Sequence, residues 1–200
     1  GDGKEEALVL AQKRLEVLTS DDFHIEKEVH GRDLVGLAYK PLFEVDQAQT
    51  AEGRENLYKV WAADFVSIDD GSGVLHVAPA FGEDDLNLGQ ANNIPVLKTI
   101  DASGKVVAGI GFDDVKGKFF KSADKYIIEH LTQQGQVYSA ETFTHTYPFC
   151  WRCETPLMYY AISSWFIGVS SIREQLIKTA EEINWVPEHI KTGRFGKWLE

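Results

Sequence analysis

Gly71-Ser-Gly-Val-Leu-His76-Val-Ala-Pro79-Ala-Phe-Gly82-Glu-Asp-Asp85 is the stretch on which the reading of this chain turns. Val74, Leu75, Val77 and Ala78 predict a short buried strand ended by Pro79, and Gly82 followed by three acids predicts a turn into a helix. His76 is therefore expected near a strand end and Asp85 in the first turn of the next helix. By pattern alone neither residue is a site. A histidine in an apolar strand is commonly a hydrogen-bonded core residue, and an acidic first turn commonly offsets the exposed N–H groups of a helix start. As a phosphate cradle the run is poor, because Gly71-Ser-Gly73 lacks a third glycine and no Gly-Lys-Ser/Thr follows.

Outward from this run, Ala7, Leu8, Leu10, Ala11, Leu15 and Leu18 fall at helical spacing, and Phe23 to Pro79 reads mostly as strands punctuated by Gly31 and Gly36. Ser122 predicts the cap of a second helix carrying Ile127, Ile128 and Leu131 and stopped by Gly135. Val137 to Phe149 and Leu157 to Val169 alternate in strand fashion, and Ser170 or Ser171 opens a third helix through Ile172, Leu176 and Ile177. Beyond Trp185, Pro187, Gly193 and Gly196 break the chain into short aromatic pieces that read as a connector. With 200 residues, 44% hydrophobic and 12% aromatic, the chain can fill one substantial core. It has no apolar run of the roughly 18 residues that span a bilayer, so a soluble, cytoplasmic protein without a membrane partner is expected.

A net charge of -11 argues against broad nucleic-acid binding. Any RNA contact must be local, and the best candidate is the cluster Lys116, Lys118, Lys121 and Lys125, interleaved with Phe119 and Phe120. A solvated lysine face is the other reading of the same residues. An unpaired RNA end, held largely by stacking, tolerates an acidic protein better than a duplex does.

The opening run resembles the Gly-x-Gly-x-x-His-x-Ala-Pro-x-x-Gly-x-x-Asp signature of the editing domain of isoleucyl-tRNA synthetases, with His76 and Asp85 nine apart as in that signature. Two further segments resemble the same family. Tyr147-Pro-Phe-Cys-Trp-Arg-Cys-Glu-Thr-Pro-Leu157 with Ser164-Trp165-Phe166 is similar to the exit from that domain, and Trp185-Val-Pro-Glu-His-Ile-Lys with Arg194-Phe-Gly-Lys-Trp-Leu199 to the return to the synthetase core. The resemblance covers most of the chain from Trp61 onward. It implies an α+β fold, a β-barrel-like editing domain of the Val/Ile/Leu-tRNA synthetase type with a few peripheral helices. Residues 1–165 would form that domain and 166–200 a connector to the aminoacylation core. Valyl relatives are expected to carry Lys, and leucyl relatives an apolar residue, in the place of His76.

The resemblance further implies hydrolysis of valine mischarged onto tRNA(Ile), after transfer or also as the adenylate. One methylene is worth only ~1–3 kcal/mol in a hydrophobic pocket, a limit for which isoleucyl-tRNA synthetases are themselves the standing example. A second pocket must therefore reject by size in the opposite sense. The family assigns His76 to the excluding wall and Asp85 to the substrate's α-ammonium, for which an ionised carboxylate is the natural partner. The water is positioned by a threonine-rich segment and a ribose hydroxyl. That segment is not visible here, since Thr19 and Thr50 lie in no Thr-Thr-x-Pro context, and it is expected before Gly1. The expected partners are the 3′ end of tRNA(Ile), the valine moiety and the remainder of the synthetase. Editing itself needs no cofactor. ATP and magnesium belong to the core, whose His-Ile-Gly-His and Lys-Met-Ser-Lys-Ser signatures this sequence lacks.

Cys150 and Cys153 are the only thiols. A closed zinc site takes four ligands, so this Cys-x-x-Cys supplies half of one, with His145 a third donor and no convincing fourth. In the family such a pair resembles one arm of a zinc knuckle completed from outside this stretch. A zinc or redox module resting on these cysteines and a catalytically silent structural piece of the same synthetase remain the alternatives. An editing domain of a valyl or leucyl relative is a third.

Overall fold

The computed structural model describes residues 7–18, 22–142 and 144–200, so Thr19 lies outside the described residues. The chain divides into two units, Gly1–Ala161 and Ile162–Glu200.

In the first unit a short 3-10 turn, Gln12–Val17, bends at Arg14. It is shorter than the expected helix from Ala7: residues 7–11 lie outside any helix, and Ala11 is extended. The turn clasps the loop before His76: the Ala11 N–H donates to the Ser72 carbonyl at 2.8 Å and Arg14 Nε to the Gly71 carbonyl at 2.8 Å. Helix α1 spans Asp46–Thr50, α2 Glu83–Ala91 and α3 Phe120–Gln133. The largest part of the core gathers beside α3, where buried Val106, Phe112, Val115 and Ala123 pack with Phe43, Ile110, Tyr126 and Ile127.

Helix α3 begins two residues before Ser122, with Phe119 as its extended N-cap. The reason is tertiary: the Phe120 N–H donates to the Gly104 carbonyl at 2.9 Å, so a neighbouring loop does the work a hydroxyl cap would have done. Gly104 sits at φ +78, and a Cβ there would lie 2.7 Å from the Phe119 ring, so both its conformation and its closeness require glycine. The helix stops as expected, with Gly135 at φ +69.

The expected β-barrel-like fold is overturned. Among the described residues β-pairing is confined to isolated antiparallel bridges, at Ala38–Lys59, Ile100–Val106, Lys105–Phe119 and Phe149–Pro156. Phe23, Ile25 and Val29 alternate as a strand would, but among the described residues 22–30 form no β-bridge, and these three side chains stay exposed. Alternation makes a segment compatible with a sheet. Only a second segment aligned with it satisfies its backbone and covers its apolar face.

In the second unit a 3-10 turn, Val169–Ile172, leads into α4, Arg173–Glu182. The aromatic tail folds back on this helix: Trp185 Nε1 donates to the Ala180 carbonyl at 2.8 Å, and the Trp185 ring lies 4.8 Å from Phe195. A wide turn, Lys191–Phe195, then runs into α5, Gly196–Leu199. No helix among the described residues is long and apolar enough to cross a membrane.

Candidate functional site

The clasped loop delivers a segment outside any helix, residues 74–78, that carries His76 and ends at a buried Pro79. Pro79 is the seat of α2: a Cβ on Gly89 would come within 3.1 Å of its ring. Gly82 is the extended N-cap of α2, and Glu83, Asp84 and Asp85 form its first turn. Asp85 then reaches back, and its Oδ2 accepts the Ala78 N–H at 2.9 Å. A Cβ on Gly82 would lie 2.9 Å from the same oxygen, so a side chain there would push the carboxylate from this position. The turn is pinned again where Ala161 N–H donates to the Ala80 carbonyl at 2.9 Å, and the Phe81 and Tyr160 rings lie 6.0 Å apart.

His76 and Asp85 therefore belong to one closed loop, with Asp85 bonded two residues beyond the histidine. The carboxylate is half-buried and spends one acceptor position on Ala78. It has about four such positions, so capacity remains for an ammonium group. His76 is exposed and has no hydrogen-bond partner among the described residues, so the chain by itself does not hold the imidazole as a rigid wall. A cavity of 230 Å³ opens just upstream, lined by Phe65, Ser67, Asp70, Ser72, Val74 and Leu75 among others, and stops short of His76.

Cys150 and Cys153 sit on a tight knuckle. The Cys150 N–H donates to Thr155 at 2.9 Å, Glu154 N–H to the Cys150 carbonyl at 2.8 Å, and Glu154 takes φ +56. Tyr147 Oη fastens the base by donating to the Leu157 carbonyl at 2.6 Å. Cys153 is exposed, with its Sγ 3.2 Å from Thr155 Oγ1, and this hydrogen bond, helped by the Thr155 backbone and by Cys150, draws its thiol below the usual range. Among the described residues no three His, Cys, Asp or Glu side chains converge on one point, so His145 does not complete a metal set with the two thiols. Two thiols are at most half of the four donors a closed zinc site takes.

Sequence reasoning missed three partners. The Ala78 N–H carries no residue-type signal, the Thr155 hydroxyl was visible only as a neighbour of Cys153, and the clasp of Arg14 on Gly71 joins positions 57 apart.

The geometry, a histidine–aspartate loop followed by a dithiol knuckle, can be set beside known proteins. The chain belongs to the class I tRNA synthetases (I, L, M and V), whose family model matches residues 15–200. Within that class its relatives include isoleucine-tRNA ligases. It is 42% identical over 204 residues to that of Dehalococcoides mccartyi, covering 96% of this chain and 20% of the relative. It is 40% identical over 195 residues to that of Clostridium novyi, and 40% over 196 residues to that of Thermus thermophilus, each covering 98% of this chain and 18% of the relative. The chain thus spans about a fifth of the length of these curated relatives.

Proposed function

We propose that this chain is the proofreading part of an isoleucine-tRNA ligase, hydrolysing valine wrongly esterified to tRNA(Ile), and also valyl-adenylate, in the cytoplasm. The observation that carries the reading is the Ala78 N–H to Asp85 hydrogen bond. It closes the His76–Asp85 loop and aims a carboxylate from a helix start, and the relatives' names supply the substrate class. In the reaction Asp85 grips the α-ammonium by a charge-assisted hydrogen bond. His76 bounds the side-chain pocket, so that valine enters and the extra methylene of isoleucine is rejected by overpacking, at a cost of ~1–3 kcal/mol. Water adds to the acyl carbon, the ester C–O bond breaks, and the proton passes to the departing ribose oxygen, leaving free valine and uncharged tRNA. The chain's own contribution is positioning, which suffices for large accelerations. The tRNA 3′ end and the remainder of the synthetase are the partners.

Asp85→Ala in the complete synthetase is expected to abolish deacylation of Val-tRNA(Ile) while leaving aminoacylation intact; retained hydrolysis would remove the ammonium assignment. His76→Ala is expected to begin hydrolysing correctly charged Ile-tRNA(Ile), and unchanged discrimination would end the wall argument. For the knuckle, we place zinc on Cys150 and Cys153 only together with two donors from elsewhere in the longer protein, where it would act as a structural clamp. Metal analysis of the complete synthetase before and after Cys150→Ser tests this.

A further inference from the structure

Among the described residues His76 has no hydrogen-bond partner, so its place is set by the backbone on either side. Downstream, the Ala78 N–H is held by Asp85 and Pro79 is buried against α2. Upstream, the chain passes through Gly71 at φ +56 and Gly73 at φ +76, residues that visit many conformations unless restrained. The loop has bonds of its own: Gly71 N–H to Asp70 Oδ1 at 2.8 Å, Gly73 N–H to the Asp70 carbonyl at 3.3 Å and Ser72 Oγ to the Val74 carbonyl at 3.2 Å. All of these close within residues 70–74. They shape the loop without tying it to the rest of the unit.

The tie comes from the turn Gln12–Val17 and the residue before it. Ala11 N–H and Arg14 Nε donate to the Ser72 and Gly71 carbonyls, each at 2.8 Å, and Arg14 Nη1 lies 3.5 Å from the Asp69 carbonyl. A Cβ on Gly73 would overlap that of Ala11, so turn and loop are in direct contact. Arg14 is the firm part of this clasp. Its side chain is 22% exposed, against 63% for Lys13, which pairs with Asp69 on the same loop. A largely desolvated guanidinium makes a strong charge-assisted bond, whereas an exposed ion pair contributes little. Glu16 Oε1, 2.6 Å from Nη1, offsets the charge and orients the fork. We infer that Arg14 is a positioning residue for the hydrolysis proposed above: by fixing the Gly71 carbonyl it sets where residues 74–77 leave the loop, and so where His76 stands as the size limit of the pocket. The inference rests on that reading for its substrates.

The test compares Val-tRNA(Ile) and Ile-tRNA(Ile) as substrates of the complete synthetase carrying Arg14→Leu. A wall without its anchor admits the larger side chain, so hydrolysis of Ile-tRNA(Ile) relative to Val-tRNA(Ile) should rise about tenfold, part of what one methylene can decide. A loss of folded protein would lower both rates together, and an unchanged ratio would overturn the inference. Lys13→Ala should keep the ratio within about twofold of wild type. Arg14→Lys, a point donor in place of a fork, should fall between wild type and Arg14→Leu. In a His76→Ala background Arg14→Leu should change the ratio no further; an added change of about tenfold would mean that Arg14 acts elsewhere.

Hydrogen exchange of the same proteins separates this inference from the hydrolytic reading. In Arg14→Leu the peptide covering residues 71–78 should exchange about tenfold faster, the weight of one charge-assisted hydrogen bond, while α3 exchanges as in wild type. If the wild-type synthetase hydrolyses neither ester, the hydrolytic reading fails and exchange decides: faster exchange keeps Arg14 as the anchor of the His76 segment, and unchanged exchange removes it. If Arg14→Leu also loses protection in α3, Arg14→Lys decides, and a wild-type ratio or, without hydrolysis, wild-type exchange in it would overturn the inference.

Discussion

Asp85 shows how one residue serves two roles. Its position in an acidic first turn is enough to explain it as compensation for the helix dipole, and its bond to Ala78 is enough to explain it as a turn clamp. A carboxylate with acceptor positions to spare can hold the loop and still meet an ammonium group, so the roles do not compete. Cys153 gives a sharper test at this scale. With its thiol drawn below the usual range by Thr155, the thiolate is favoured in the folded chain. That contribution is present above the unfolded thiol's pKa and is lost as pH falls through the lower folded value. Alkylation of metal-free protein by iodoacetamide should therefore run faster at Cys153 than at Cys150 near neutral pH. Thr155→Val should slow the Cys153 reaction and move its pH midpoint upward; a midpoint that does not move would remove Thr155 as the cause.

Elements were legible in proportion to how locally they are determined. Helix α2 starts where Gly82 and three acids predict it, and α3 and α4 carry the apolar spacing read for them. The start of α3 was misplaced because its cap is the Gly104 carbonyl, contributed from outside the helix. Extended segments read as strands failed altogether, since pairing is a property of two segments and alternation reports on one. The core beside α3 rests on Val115, which is fully buried against a helix that local signals define well. Val115→Ala, which removes two buried carbons and leaves a small void, should cost about 2 kcal/mol, read as a lowered urea midpoint with an unchanged slope. A loss below a few tenths would mean that this core contributes little.

At the scale of the molecule, the division between Ala161 and Ile162 is followed by the most exposed apolar stretch among the described residues. Trp165 is 99% and Phe166 89% exposed, on backbone outside any helix just past the boundary. Exposed backbone with large aromatic side chains is what chymotrypsin cleaves first, so brief digestion should cut after Trp165 or Phe166 and release a fragment close to the first unit. A first cut at Tyr58 or Tyr126 would contradict that division. The acidic balance acts at this scale too. It disfavours indiscriminate RNA binding.

The sequence by itself determined the family, through the ordered His76–Asp85 and Cys150–Cys153 motifs, and it located α2, α3 and α4, because periodicity and glycine stops act over a few residues; the helix expected from Ala7 shrank to a 3-10 turn, and α1 and α5 were not foreseen. Only the tertiary structure decided that the segments read as strands do not form a barrel, that Asp85 closes back on Ala78, and that His76 lacks a supporting partner. Each of these joins residues distant along the chain or depends on a backbone group that every residue carries, and a linear pattern holds no record of such pairings.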